Sequence, residues 1–142
     1  MKVHICHNDL TAVEWISFRQ EAGWSSPEES VMSRAIKNSD LLVSARVQEI
    51  AVGMARVLTD YETTFFLTDI IVKKEWRHKG IACMMINDII KYATNMISHT
   101  AYIYLMSSIN IEPLYKGLGF NARDGHTKGL GMEMAIYPSD KL

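Results

Sequence analysis

Long apolar runs are missing from this chain: no stretch approaches the roughly 20 residues needed to cross a bilayer. The first seven residues, Met1 to His7, lack the apolar core of a secretory signal. A cytoplasmic location and no membrane partner are therefore expected. An excess of charge is missing too. With 15 Lys and Arg against 16 Asp and Glu, the formal net charge is -1, which argues against a nucleic-acid partner. Cysteine is scarce. Cys6 and Cys83 form no Cys-x-x-Cys pair, so small, buried thiols are expected rather than a disulfide or redox centre. His4, Cys6 and His7 lie close together, but on a strand His7 points away from the other two. No second ligand cluster follows, so no metal is expected. Neither Gly-x-x-x-x-Gly-Lys-Ser/Thr nor Gly-x-Gly-x-x-Gly occurs, which excludes a phosphate-loop ATPase and a Rossmann dinucleotide site. Repeats, linkers and low-complexity segments are absent as well.

What is present is ordinary globular composition: 142 residues, 48% hydrophobic and 22% charged. That suffices for one cored domain, residues 1–142, and not for two. The chain is organised around residues 64–97. Residues 64–72 are β-branched and aromatic with Asp69 as their single charge, the pattern of a buried strand. A cationic corner follows, Lys73 to Gly80. Ala82, Ile86, Ile89, Ala93 and Ile97 then recur at intervals of three and four, giving a helix one apolar face.

The other elements follow from their own signals. Residues 2–7 read as a short strand. Asn8-Asp9-Leu10-Thr11 offers cap chemistry for a helix that runs to about Ala22, with Val13, Ile16 and Phe18 among its apolar positions, and ends at Gly23-Trp24. A second helix starts with Ser26 as cap and Pro27 in its first turn, and stops near Asn38. Leu41 to Val47 and Ile50 to Leu58 form a hairpin across Gln48-Glu49, although neither is the glycine or asparagine that a primed turn favours. Ala101 to Met106 is a strand, Glu112 to Gly117 a short helix, and Met132 to Tyr137 a final strand, with one more expected around Phe120 to Arg123. This order predicts an α+β fold: a mostly antiparallel sheet of six to seven strands, one β-α-β crossover, and helices on both faces.

The corner carries chemistry. A helix N-terminus offers unpaired N–H groups and the positive end of the macrodipole, so it attracts anions. Gly80 lets the backbone approach a ligand closely, and Arg77, His78 and Lys79 add charge at the same point. A solvated basic loop has the same composition. The sequence Arg77-His78-Lys79-Gly80-Ile81-Ala82 resembles the cofactor motif Arg/Gln-x-x-Gly-x-Gly/Ala of the GNAT superfamily of N-acetyltransferases. Downstream, Leu114-Tyr115-Lys116-Gly117-Leu118-Gly119-Phe120 resembles the family's Leu-Tyr-x-x-x-Gly-Phe segment. The two motifs stand in the family's order, about a helix and a strand apart. The resemblance covers nearly the whole chain.

That resemblance implies acetyl-coenzyme A as co-substrate. Arg77, His78, Lys79, Gly80, Ile81, Ala82 and Cys83 would wrap its pyrophosphate, and Ile70, Ile71 and Val72 would bond its pantetheine arm like an added strand. Tyr115 would be the general acid that protonates the departing thiolate; an aromatic packed at a helix end is its other role. Asp69 is the candidate general base, or else a structural partner of a backbone amide or of Arg56. Trp24, Arg56 and Tyr61 fall in segments bordering the acceptor cleft of such a fold. Three departures stand out. Ala82 replaces the commoner glycine, His78 stands where glycine is frequent, and Ser108 occupies the usual position of a cofactor-contacting asparagine, with Asn110 two places on. The activity implied is transfer of acetyl to a primary amine of a small molecule, of polyamine, amino acid or aminoglycoside type. A homodimer is implied as well. The alternatives are a non-catalytic acyl-coenzyme A sensor and an enzyme acting on a protein N-terminus or lysine.

Overall fold

A computed structural model describes residues 1–139. They fall into two compact units, Met1–Leu105 and the residues from Met106 onward.

The first unit is a five-stranded sheet in sequential order. Its strands are β1 (Val3–His7), β2 (Leu41–Val47), β3 (Ile50–Thr59), β4 (Thr64–Val72) and β5 (Tyr102–Leu105). The first four pair antiparallel and β5 pairs parallel to β4. The parallel step requires a crossover, supplied by the helix α3 (Ile81–Met96). The helices α1 (Ala12–Glu21) and α2 (Glu29–Lys37) precede the sheet's centre. Trp15, Phe18 and Met32 from these two helices join Met54 and Ile71 in one apolar cluster. The neighbouring Gly53 faces Ile81 and Met85 of α3 instead. Adjacent strand residues point to opposite faces, so helices cover both sides. A Cβ on Gly53 would lie 3.1 Å from both Ile81 Cγ2 and Met85 Cε; the glycine lets α3 lie close.

Local signals explain most boundaries. Thr11 caps α1, accepting from the Glu14 N–H at 3.1 Å while Glu14 accepts from the Thr11 N–H at 3.0 Å. Arg46 on β2 binds both Glu14 oxygens, at 2.9 and 3.0 Å, and Asp9 at 2.8 Å, tying the start of α1 to the sheet. The hairpin turns at Gln48 with φ +55°, the left-handed conformation that its missing glycine would have supplied more cheaply.

Three expectations need correction. The sheet has five strands, not six or seven, among the described residues. Residues 132–137 and 120–123 are in no ladder. In the 132–137 segment Met132, Met134, Ile136 and Tyr137 are exposed; apolar alternation makes a strand only where a second backbone takes its hydrogen bonds. Ser26 does not cap α2. Glu28 occupies that position without a side-chain bond, and Ser26 Oγ instead lies 3.9 Å from Met32 Sδ. On α1, Val13 is exposed and Trp15 takes the core position.

In the second unit, α4 (Glu112–Gly117) is the one regular element among its described residues, with a proline in its first turn. No helix among the described residues is long and apolar enough to cross a membrane.

Candidate active site

The corner after β4 begins with a 3-10 turn, Lys74–Trp76. His78 and Gly80 then adopt φ +61° and +79°, so the backbone enters the left-handed region twice within three residues before α3 starts. Gly80 is the N-cap and no side chain caps the helix. The first intrahelical bond runs from the Met84 N–H to the Gly80 carbonyl, 3.0 Å. The N–H groups of Ile81, Ala82 and Cys83 thus have no partner within the helix. Arg77, His78, Lys79 and Gly80 are all exposed around this end. Arg77 Nε donates to the Val72 carbonyl at 3.0 Å, and Lys79 Nζ lies over the Trp76 ring at 5.4 Å. Charge, unpaired donors and a helix dipole converge on one point, which fits a pyrophosphate.

β4 is shaped for a ligand as well. Its register against β3 slips between Met54 and Arg56, and Asp69, at φ +51°, sits in the bulge. β5 pairs only with Thr64–Leu67, so among the described residues no strand lies beside Thr68 to Val72 on that edge. Ile70, Ile71 and Val72 lie in this unpaired stretch, where an extended ligand arm can bond the backbone.

The Asp69 carboxylate is nearly sealed, its side chain 4% exposed. Arg19 Nη1 donates to Oδ1 at 2.7 Å and Arg56 Nε to Oδ2 at 3.2 Å. Arg19 also donates twice to the Ser25 carbonyl and lies over the Trp24 ring at 5.5 Å. Arg56 lies over the Trp15 ring at 4.8 Å and donates to Ser39 Oγ. Next along, Asp40 accepts from the Tyr61 hydroxyl at 3.2 Å; burial, then this bond, push the phenol's pKa up. The structure therefore brings Trp24, Arg56 and Asp69 into one connected group, while Tyr61 bonds to Asp40 instead. Sequence reasoning missed Arg19 and Trp15 in it. Their spacing of four on α1 was visible, but nothing local said which of many cations would meet Asp69.

In the second unit, Tyr115 is buried and packs edge-on against Phe120, ring centroids 6.0 Å apart. Burial raises its pKa, so the phenol stays protonated at neutral pH. Ser108 and Asn110 are both exposed; the Ser108 carbonyl accepts from the Ile111 N–H, and Asn110 takes φ +70°. Among the described residues, no three His, Cys, Asp or Glu side chains gather as metal ligands.

Comparison with known proteins places the chain. The sequence model of the acetyltransferase (GNAT) domain matches residues 12–136. No curated protein matches the chain. Among solved structures, SA2161 from meticillin-resistant Staphylococcus aureus, a probable acetyltransferase, is 24% identical. The match covers 95% of this chain and 100% of that one, with a TM-score of 0.84. The GNAT-family acetyltransferase SP0256 from Streptococcus pneumoniae is 17% identical over 97% of this chain and 100% of its own, TM-score 0.77. Glucosamine-6-phosphate N-acetyltransferase from Arabidopsis thaliana is 12% identical, covering 96% and 99%, TM-score 0.68. At these identities the structures speak for the fold alone. The family model carries more: the chain belongs to the GNAT family of acetyltransferases, acyl-transferring enzymes whose co-substrate is acetyl-coenzyme A.

Proposed function

We propose that this protein is a single-domain N-acetyltransferase that moves acetyl from acetyl-coenzyme A to a primary amine of a small molecule by direct attack in a ternary complex. The observation that carries it is the uncapped start of α3 at Gly80, preceded by Arg77 and reached from a bulged β4. The family match runs through both units, residues 12–136, which supports one domain over the whole chain.

When bound, acetyl-coenzyme A supplies the activated acetyl thioester. The residues Arg77 to Cys83 hold its pyrophosphate, and Ile70, Ile71 and Val72 hold its arm along the unpaired edge of β4. A backbone N–H of that edge stabilises the negative charge that builds on the thioester oxygen. Tyr115, kept protonated by burial, donates its proton to the leaving thiolate. Ser108 or Asn110 adds a polar contact to the cofactor. For Asp69, two guanidinium bonds support the structural role: it anchors the bulge and the arginines, and the amine loses its proton elsewhere. Trp24, Arg56 and Tyr61 line the acceptor side.

The chain acts in the cytoplasm as a homodimer. Alternating exposed side chains at Leu130, Met132, Met134 and Ile136 support association with a second copy. The test of the activity is a melt with and without acetyl-coenzyme A, followed by coenzyme A release over a panel of amines. A ligand at about 100 times its Kd adds about 2.7 kcal/mol, enough to move the melt by several degrees. No shift, or no release with any amine, overturns the enzyme reading.

A further inference from the structure

We propose that the acceptor is an amine that also carries an acidic group, a carboxylate or a phosphate, held by Arg19 and Arg56. This rests on the acetyltransferase reading and narrows it, because it disfavours polyamines.

Charge comes first. Two guanidiniums share one carboxylate, Asp69, which leaves an excess positive charge in a largely enclosed place. The arginine side chains are 24% and 19% exposed. The nearby Asp40 does not supply the missing anion: its oxygens accept from the Thr59 N–H and the Tyr61 hydroxyl, and it forms no ion pair with either arginine among the described residues. A partly buried cation without a counter-charge is costly, and an anionic ligand would relieve that cost.

Donors come second. Each guanidinium has five N–H groups. Arg19 uses three, to Ser25 and Asp69; Arg56 uses two, to Asp69 and Ser39. Arg56 Nη2 makes no hydrogen bond among the described residues. The ring that Arg56 covers belongs to Trp15, whose buried Nε1–H also lacks a partner there. Buried indole N–H groups usually have one. A planar carboxylate or a phosphate oxygen suits the open Arg56 Nη2.

Position comes third. Asp69 immediately precedes Ile70, the first residue of the edge assigned to the cofactor arm. An anion beside the Asp69 guanidiniums lies next to where the acetyl group is delivered. Trp24, 39% exposed, flanks Arg19 and offers its ring to the body of the acceptor.

The test uses matched amines with the full chain and acetyl-coenzyme A. Phenylalanine is compared with phenethylamine, phosphoethanolamine with ethanolamine, and spermidine represents the polycations. In at least one pair the acidic member should have kcat/KM about tenfold or more above its partner, the scale of one charge-assisted bond. Which pair responds separates carboxylate from phosphate. Arg56→Gln should bring the ratio to within about twofold, while Arg56→Lys, which keeps the charge, should retain part of it. Equal or better use of the uncharged members, preference for spermidine, or equal losses for both members in Arg56→Gln overturns the inference and leaves the acetyltransferase reading standing. Should none of these five amines turn over although another amine does, calorimetric titration of phenylalanine and phosphoethanolamine decides, and absence of binding of both overturns it. Failure of acetyl-coenzyme A to shift the melt counts against the underlying activity instead.

Discussion

Arg19 and Asp69 lie 50 residues apart and meet at 2.7 Å, closing α1 onto the bulge of β4. The carboxylate is shared with Arg56, so one side chain holds a helix, a strand and a kink together. Asp69→Asn keeps the size and tolerates the positive φ, but leaves two guanidiniums without their anion. Unfolding in urea should show a loss of about 3 kcal/mol. A variant of unchanged stability whose kcat falls more than 100-fold, on the scale of general-base loss, would instead make Asp69 the base.

The two glycines around α3 should respond differently. At Gly80 a Cβ meets nothing within 4 Å, but φ is +79°, so Gly80→Ala costs about 1 kcal/mol through conformation alone. At Gly53 the added methyl meets Ile81 and Met85, both buried. Gly53→Ala should cost about 1–3 kcal/mol and raise the KM for acetyl-coenzyme A by displacing the helix start. Melting curves and initial rates check both.

Tyr115→Phe removes only a hydroxyl. If that hydroxyl is the acid, kcat falls about 100-fold or more while acetyl-coenzyme A affinity stays within about twofold. Burial raises the phenol's pKa above its ordinary 10.0, so the wild-type rate should decline only on the far alkaline side, as pH rises through that raised value. A sensor would show no such loss of turnover.

Acid should loosen the α1 anchor. Burial by itself would raise the Glu14 carboxyl, but its bonds with Arg46 and Thr11 outweigh that and hold it below the ordinary 4.5. A pKa lowered on folding stabilises the protein above the unfolded value, and that stability is lost as pH falls through the folded one. Glu14→Gln should therefore lower the urea midpoint near pH 7 and flatten its fall below about pH 4.5.

Much of this was legible in the sequence. Strand 64–72 and helix 112–117 had boundaries set by local signals, β-branching in one and proline and glycine in the other, and both match the structure. The helix that starts after Gly80 followed from the apolar spacing of Ala82 to Ile97. The tail did not: Met132, Met134 and Ile136 alternate as a strand does, yet a ladder depends on a partner that alternation does not specify. Arg19 was hidden for a related reason. Its role depends on a contact across 50 residues, which nothing within α1 specifies.

The bulge at Asp69 has a kinetic consequence. Its positive φ and broken register are held by Arg19 and Arg56, both part of the protein. The opened edge of β4 thus exists before any ligand arrives, and its conformational cost is met when the chain folds. Encounter with the cofactor should then follow simple second-order kinetics, with no slow isomerisation of β4 preceding or following association.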